Sequence, residues 1–409
     1  MTTTAEQPTT ADQLNGLLAA VLGAEPQVRV RAWDGSLAGP ADAPVVVIRS
    51  PMALRRMLWR PGELGLARAY VAGELDVEGD LGAAFSHARA AFAGLSARPR
   101  PGAVRAAWRA AREWRLAGAP PPPPEEARLR GRRHTRRRDR AAISHHYDLG
   151  NDFYELLLDE TMAYSCGYWS PEVPDGDGAA ASRAKLDLVC RKLELRPGDH
   201  LVDIGCGWGS LVVHAAREYG VRVTGYTISR EQASYVQERI ERAGLGERAT
   251  VRLRDYREID DTAADAVASI EMGEHVGRRN YPEYAAVLHR TVRPGGRLLL
   301  QQMSRGPHAA GGGAFIEAYI APDMHMRPLP DTLRMIAAAG FELRHVEALR
   351  EHYVRTVRFW AGRLEEHWAE VVALAGERTA RVWRLYLAGG AAAFEEGRMG
   401  VDQVLAVRH

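Results

Sequence analysis

Leu201 to Gly209, LVDIGCGWG, constrains this chain more than any other stretch. Leu201, Val202 and Ile204 make a short apolar run that carries Asp203, and Gly205, Gly207 and Gly209 follow at even spacing. Beyond them Leu211, Val212, Ala215 and Ala216 recur at helical spacing, so the unit reads as strand, tight turn, helix. A turn without side chains lets a backbone press against a ligand, and the helix amide ends with their positive dipole face a carboxylate or phosphate.

Two cofactor classes use such a turn. A dinucleotide fold wants G-x-G-x-x-G, whereas this chain has D-x-G-x-G-x-G, with an acid ahead of the first glycine. That pattern favours S-adenosylmethionine, whose amino acid end the turn would hold with Asp203 close to its ammonium. A nucleotide fold and a purely structural turn are the alternatives, since a lone glycine turn is weak evidence.

At 409 residues, 46% of them hydrophobic, the chain has material for two domains. Its net charge of +2 excludes nothing, but the distribution is uneven. Only Lys185 and Lys192 are lysine, so a single arginine carries little meaning here. Cys166, Cys190 and Cys206 suggest no disulfide framework, and a reducing interior is the default. There is no secretory signal and no apolar run of about 18 residues, which leads to the expectation of a cytoplasmic protein.

Taken in order, the chain opens on a polar, Thr-rich start, Met1 to Thr10, expected to be disordered. Ala11 to Arg115 reads as a small α+β domain: strands at Gln27–Ala32 and Pro44–Arg49, helices at Pro51–Arg60 and Gly62–Val71, then a turn at GELDVEGDL. It carries no catalytic constellation and suits either packing and dimerisation or lipid presentation. The expected division is an accessory domain over 1–117, a linker over 118–140 and a catalytic domain over 141–409. The linker holds five prolines, Pro120 to Pro124, and then eight arginines within Arg128 to Arg140. Proline runs are stiff and extended. The arginines would attract anionic headgroups at about 1 kcal/mol per charge; a solvated linker is the bland alternative, and the missing interleaved aromatics count against nucleic acid. From Leu201 to Arg305 strands and helices alternate, which implies a doubly wound α/β sheet with ligands at the carboxyl ends of its strands. Gly311 to His409 reads mostly as amphipathic helix covering the substrate.

The segments YDLGNDFY, YSCGYW, LVDIGCGWGSL, GYTISREQ, RDYREI, EHVG, NYPEY and VDQVLAVR, in this order from Ser144 to His409, resemble the cyclopropane-fatty-acyl-phospholipid synthase family, including the mycolic acid cyclopropane synthases. The resemblance implies a Rossmann-like methyltransferase sheet and an enzyme that carries a methyl group from S-adenosylmethionine to an acyl-chain double bond. By the same resemblance Tyr164 and Ser165 would touch the methionine moiety, Gly205 and Gly207 would form the turn, Thr227 and Gln232 would lie near the ribose, and Asp255 and Tyr256 would meet the adenine. Tyr256 could equally be a core tyrosine. The family's proton acceptor is thought to be a bound bicarbonate, held by groups that match the Cys166 backbone, Glu274 and Tyr353, with His275 beside Glu274. A structural cap is the alternative for Glu274. No metal is implied.

Two departures stand out. Gly273 replaces a bulky residue of the family pattern, opening space, and Gln301 stands where a histidine is usual; an amide cannot carry a proton as imidazolium does. Both resemble the branch that makes 10-methylstearic (tuberculostearic) acid, which implies a 10-methylene product from an oleoyl phospholipid and a separate flavin or nicotinamide reductase. Cyclopropane closure is the alternative, and a lipid-binding protein without catalysis is the non-enzymatic one. The arginine segment adds an anionic membrane surface as the expected partner, with a peripheral position at the inner membrane; a homo-oligomer and no nucleic-acid partner complete the expectation.

Overall fold

A computed structural model describes residues 7–84, 101–147, 149–306 and 311–409. The first six residues of the polar start, the stretch 85–100 and Asp148 of the YDLGNDFY motif lie outside them. The chain divides into two compact units, Met1–Glu126 with Gly376–Ala392 and Ala127–Ala375 with Ala393–His409.

The first unit opens on the helix Thr10–Leu22, started by a reciprocal cap in which the Thr9 hydroxyl accepts from the Asp12 N–H and the Asp12 carboxylate accepts from the Thr9 N–H. Strands β1 (Arg29–Arg31), β2 (Leu37–Ala38), β3 (Val45–Ile48) and β4 (Leu75–Glu78) form a sheet in the order β2-β1-β3-β4, with β1 and β3 parallel. The segment GELDVEGDL, expected as a turn, supplies β4. Helices Pro51–Trp59 and Glu63–Val71 contribute Ala53, Leu54 and Ala69 to a core that also takes Leu14, Val30, Ile48 and Leu116. Residues 376–392, most of the helix Glu377–Glu395, belong to this unit through the buried Arg381. Its guanidinium donates to the carbonyls of Tyr70 (2.6 Å) and Leu75 (2.8 Å), pairs with Asp76 (3.2 Å) and lies over the Tyr70 ring.

The second unit holds β5 (His200–Ile204), β6 (Arg222–Thr227), β7 (Ala249–Leu253), β8 (Ala264–Ile270), β9 (Val292–Arg305), β10 (Phe341–Ala348) and β11 (Met399–Arg408), in the order β10-β11-β9-β8-β5-β6-β7. Strands β5 to β9 are parallel and β11 runs antiparallel to both its neighbours. Alternate side chains of β5 enter opposite layers: Leu201 packs with Leu186, Leu211, Val212, Val236 and Ile240, while Val202 and Ile204 pack with Tyr284, Val287, Leu288 and Ile336. The sheet is therefore covered on both faces, as a doubly wound fold requires. Strands β10 and β11 extend the sheet from within a stretch that reads mostly as helix. β5 pairs with β6 on one side and β8 on the other, so chain order reverses there and a crevice opens at the carboxyl ends. Among the described residues no helix is long and apolar enough to cross a membrane.

Candidate active site

The turn after β5 opens that crevice. Gly205 has φ +84°, and a Cβ there would come within 2.8 Å of the Met272 side chain. Gly207 has φ +53° and faces open space where the turn lines the cavity. Tyr164, Ser165 and Asp203 line the same cavity, as do Thr227 at the end of β6, Gln232 past it, and Asp255 and Tyr256 past β7. The structure thus brings together every residue the sequence reading assigns to the cofactor.

Three buried polar atoms in this lining have no partner: Asp203 Oδ1, Gln232 Nε2 and Tyr256 OH. Buried polar atoms are seldom left so without a ligand to meet them. Burial pushes the Asp203 carboxyl up to about 7, against which Lys185 acts only in part. An ammonium placed beside it would restore the carboxylate. Thr227 Oγ1 donates to Gln232 Oε1 (2.8 Å), which leaves the Gln232 amide N–H to face the cavity. Asp255 is oriented by Arg257, which also binds Asp139 at 2.8 Å on the helix Arg136–Tyr147. These residues fit S-adenosylmethionine: an acid for the ammonium, an amide for the ribose and an acid with a phenol for the adenine.

Deeper in, three donors converge on one carboxylate. Glu271 Oε1 accepts from the Cys166 backbone N–H at 2.9 Å and from Gln301 Nε2 at 2.7 Å, and Oε2 accepts from the Tyr353 hydroxyl at 2.5 Å. Glu271 lines the cofactor cavity and adopts φ +51°, a left-handed conformation that costs a non-glycine residue about 1–3 kcal/mol and clusters at functional sites. Burial raises its pKa, while Tyr353, the Cys166 N–H, Gln301 and Lys185 pull it back down. The sequence reading missed Glu271. One signal pointed to it: like Asp203 it is an acid at the carboxyl end of a parallel strand of this sheet.

Cys166 and Tyr353 are two of the groups the family resemblance assigns to bicarbonate, and here both are already engaged by Glu271. A bicarbonate held by the same two groups would compete with the Glu271 carboxylate for them. Glu274 stands apart: fully buried, it accepts from the Met303 N–H (2.7 Å), Oε2 lacks a partner, and burial lifts its pKa to about 8. Burial thus favours its neutral form. His275 lines the cavity and is pushed down to about 4 by desolvation. Gly273 does not open space, because a Cβ there would come within 2.2 Å of Gln302 Oε1, whose amide fills the site and accepts from the Tyr281 hydroxyl. Phenylalanine at 273 would therefore collide with Gln302.

The model of the family described as mycolic acid cyclopropane synthetase matches residues 134–404. A probable fatty acid methyltransferase of Mycobacterium tuberculosis is 40% identical over 397 residues, 93% of this chain and 91% of that protein. A tuberculostearic acid methyltransferase of the same organism is 33% identical, over 92% of this chain and 86% of its own. The cyclopropane-fatty-acyl-phospholipid synthase of Escherichia coli is 38% identical over 64% of this chain and 66% of its own. Among solved structures, a cyclopropane synthase from M. tuberculosis superposes with a TM-score of 0.62 at 32% identity, covering 66% of this chain and 98% of that one. A mycolic acid cyclopropane synthase complexed with SAH gives the same TM-score at 31% identity and the same coverage. With the match spanning most of the chain, and the cavity built for the cofactor these enzymes share, the chain belongs to the mycolic acid cyclopropane synthetase family of S-adenosylmethionine-dependent methyltransferases.

Proposed function

We propose that the protein methylates the double bond of an oleoyl-type phospholipid chain and releases a 10-methylene product, with Glu271 as the proton acceptor. The methylation of lipid acyl chains belongs to the family; the product and the base are this reading's own. Bound S-adenosylmethionine supplies an electrophilic methyl group. An isolated alkene is a poor nucleophile, so the chain's contribution is to align it, exclude water and tolerate positive charge. Tyr164, which lines the cavity, and Trp360 offer aromatic faces tilted 37° to one another (5.1 Å between centroids), and such faces favour cations.

The observation that carries the reading is the Glu271 carboxylate with its three donors. Hydrogen bonds to the charged form keep a carboxylate ionised and weaken it as a base. A weak base lets the carbocation on the acyl chain live long enough for a hydride to move from the methyl-bearing carbon to its neighbour. The charge then rests on the branched carbon, and Glu271 takes a proton from the new methyl to leave the methylene. The likeness to a tuberculostearic acid methyltransferase supports this product. A separate reductase would saturate it. Acceptor chains of this kind lie in membranes, and the first unit exposes Val104 and Trp108, with Trp108 74% exposed, beside Arg105 and Arg109 on the helix Pro101–Glu113. That face suits an anionic bilayer surface.

The test is product analysis by gas chromatography and mass spectrometry on oleoyl phospholipid vesicles. Glu271→Gln should lower turnover by about 10²–10⁴ with cofactor affinity retained, and the parent enzyme should need no added bicarbonate. A cyclopropane product, or strict dependence on bicarbonate, overturns the reading in favour of ring closure as in the E. coli relative.

A further inference from the structure

Gln301 is itself held from behind. Its Oε1 accepts from Gln403 Nε2 at 2.9 Å, and Gln403 Oε1 accepts from Lys192 Nζ at 2.6 Å, where Lys192 also pairs with Glu347. Gln301 and Gln403 are 0% exposed, and the Lys192 side chain is 12% exposed. The row is built into the sheet: Glu347 on β10 is the register partner of Gln403 on β11, and Gln403 is the partner of Gln301 on β9. Gln301 in turn pairs with Ile270 of β8, the residue before Glu271. Lys192 ends the helix Gly178–Lys192.

An amide side chain can be turned either way, and its neighbours decide which. Lysine has donors only. Gln403 must therefore offer Lys192 its oxygen, which points its N–H at Gln301. Gln301 must accept with its oxygen, and that leaves its own N–H facing Glu271. Every bond in the row has its direction set by the ammonium at the far end. Turning either amide over would set oxygen against oxygen.

We propose that Lys192 and Gln403 are positioning residues that fix the donor sense of Gln301 and thereby keep Glu271 ionised as the proton acceptor. This rests on Glu271 being the base. The other groups facing Glu271 are Lys185, Glu274, the Tyr353 hydroxyl and the Cys166 thiol, and Glu347 faces Lys192 with the Tyr168 hydroxyl bonded to it. None of these is altered in the test.

The decisive variant is Gln403→Glu, which still accepts from Lys192 but offers Gln301 no N–H, so Gln301 is free to turn its oxygen toward Glu271. Losing that donor raises the Glu271 pKa. A base works only when deprotonated, so the acid limb of the kcat–pH profile should move up by about one unit, with a fall of about tenfold at a pH below the limb. KM for S-adenosylmethionine should not change. Lys192→Met should move the limb the same way and Lys192→Arg should restore it. Lys192→Met, made at the outer, partly buried end of the row, keeps the test alive should Gln403→Glu fail to fold. If the folded variants keep the parent's acid limb while Glu271→Gln abolishes turnover, the positioning role is wrong and the base assignment stands. If Glu271→Gln turns over normally, the base assignment fails and this proposal fails with it.

Discussion

Gly207 illustrates how a single backbone position decides ligand binding. Its φ of +53° disfavours any side chain, and the space in front of it is the cavity itself. Gly207→Val should lower S-adenosylmethionine affinity by well over tenfold, about 1.4 kcal/mol or more, in calorimetry. Unchanged affinity would remove the turn from the site. Glu274 allows a test on stability. Its folded pKa, about 8, lies above the ordinary 4.5, so its contribution is fully present below pH 4.5 and is lost as pH rises through 8. Glu274→Gln should flatten the fall in unfolding free energy across that window, by at most about 1.4 kcal/mol per pH unit. Denaturant titrations at pH 5 and pH 8 measure it, and parallel curves for parent and variant would show that the group titrates normally. At this scale the cofactor lining was legible because Asp203, Gly205, Thr227 and Asp255 each sit at or just past the end of a recognisable strand. Glu271 was not, since its partners Cys166 and Tyr353 are 105 and 82 residues away and no local spacing announces them.

Among the elements, the arginine-rich segment departs most from its sequence reading. Arg136–Tyr147 is helical, and Asp139 and Ala142 on it line the cofactor cavity. Arg138 makes a bidentate pair with Asp323 at 2.7 and 3.0 Å, Arg133 reaches the same carboxylate, and Arg136 pairs with Glu258. Charges committed to internal partners are poor attractors for a bilayer, so the segment's positive field is weaker than a count of arginines implies. Composition alone cannot reveal pairing with residues nearly two hundred positions on. The doubly wound half was legible because its strands are short apolar runs between glycines. β10 was not: Glu342, Arg344, His345 and Glu347 break any alternation on a strand at the edge of the sheet, where half-exposed positions tolerate charge.

For the whole molecule the question is how an enzyme without a membrane-spanning helix among its described residues meets an acyl chain. The Pro101–Glu113 helix offers Trp108 and Val104 to a surface, with Arg105, Arg109 and Arg112 alongside. Sedimentation with vesicles should show binding that needs anionic lipid, weakens as salt shortens the screening length below about 10 Å, and falls roughly tenfold in Trp108→Ala. Equal binding of parent and variant would assign the docking elsewhere.

Arg381 bears on the order in which the chain matures. It joins the carbonyls of Tyr70 and Leu75 to a helix more than three hundred residues downstream. A ribosome adds residues one after another, and domains ordinarily close as soon as they emerge. Here the first unit to leave the ribosome cannot complete its packing until the segment Gly376–Ala392, which carries Arg381, has been made. Through most of synthesis Tyr70, Asp76 and the start of β4 wait without their guanidinium, while the methyltransferase sheet is itself unfinished until β11 arrives. Both units therefore reach their final form late, and within a few dozen residues of each other.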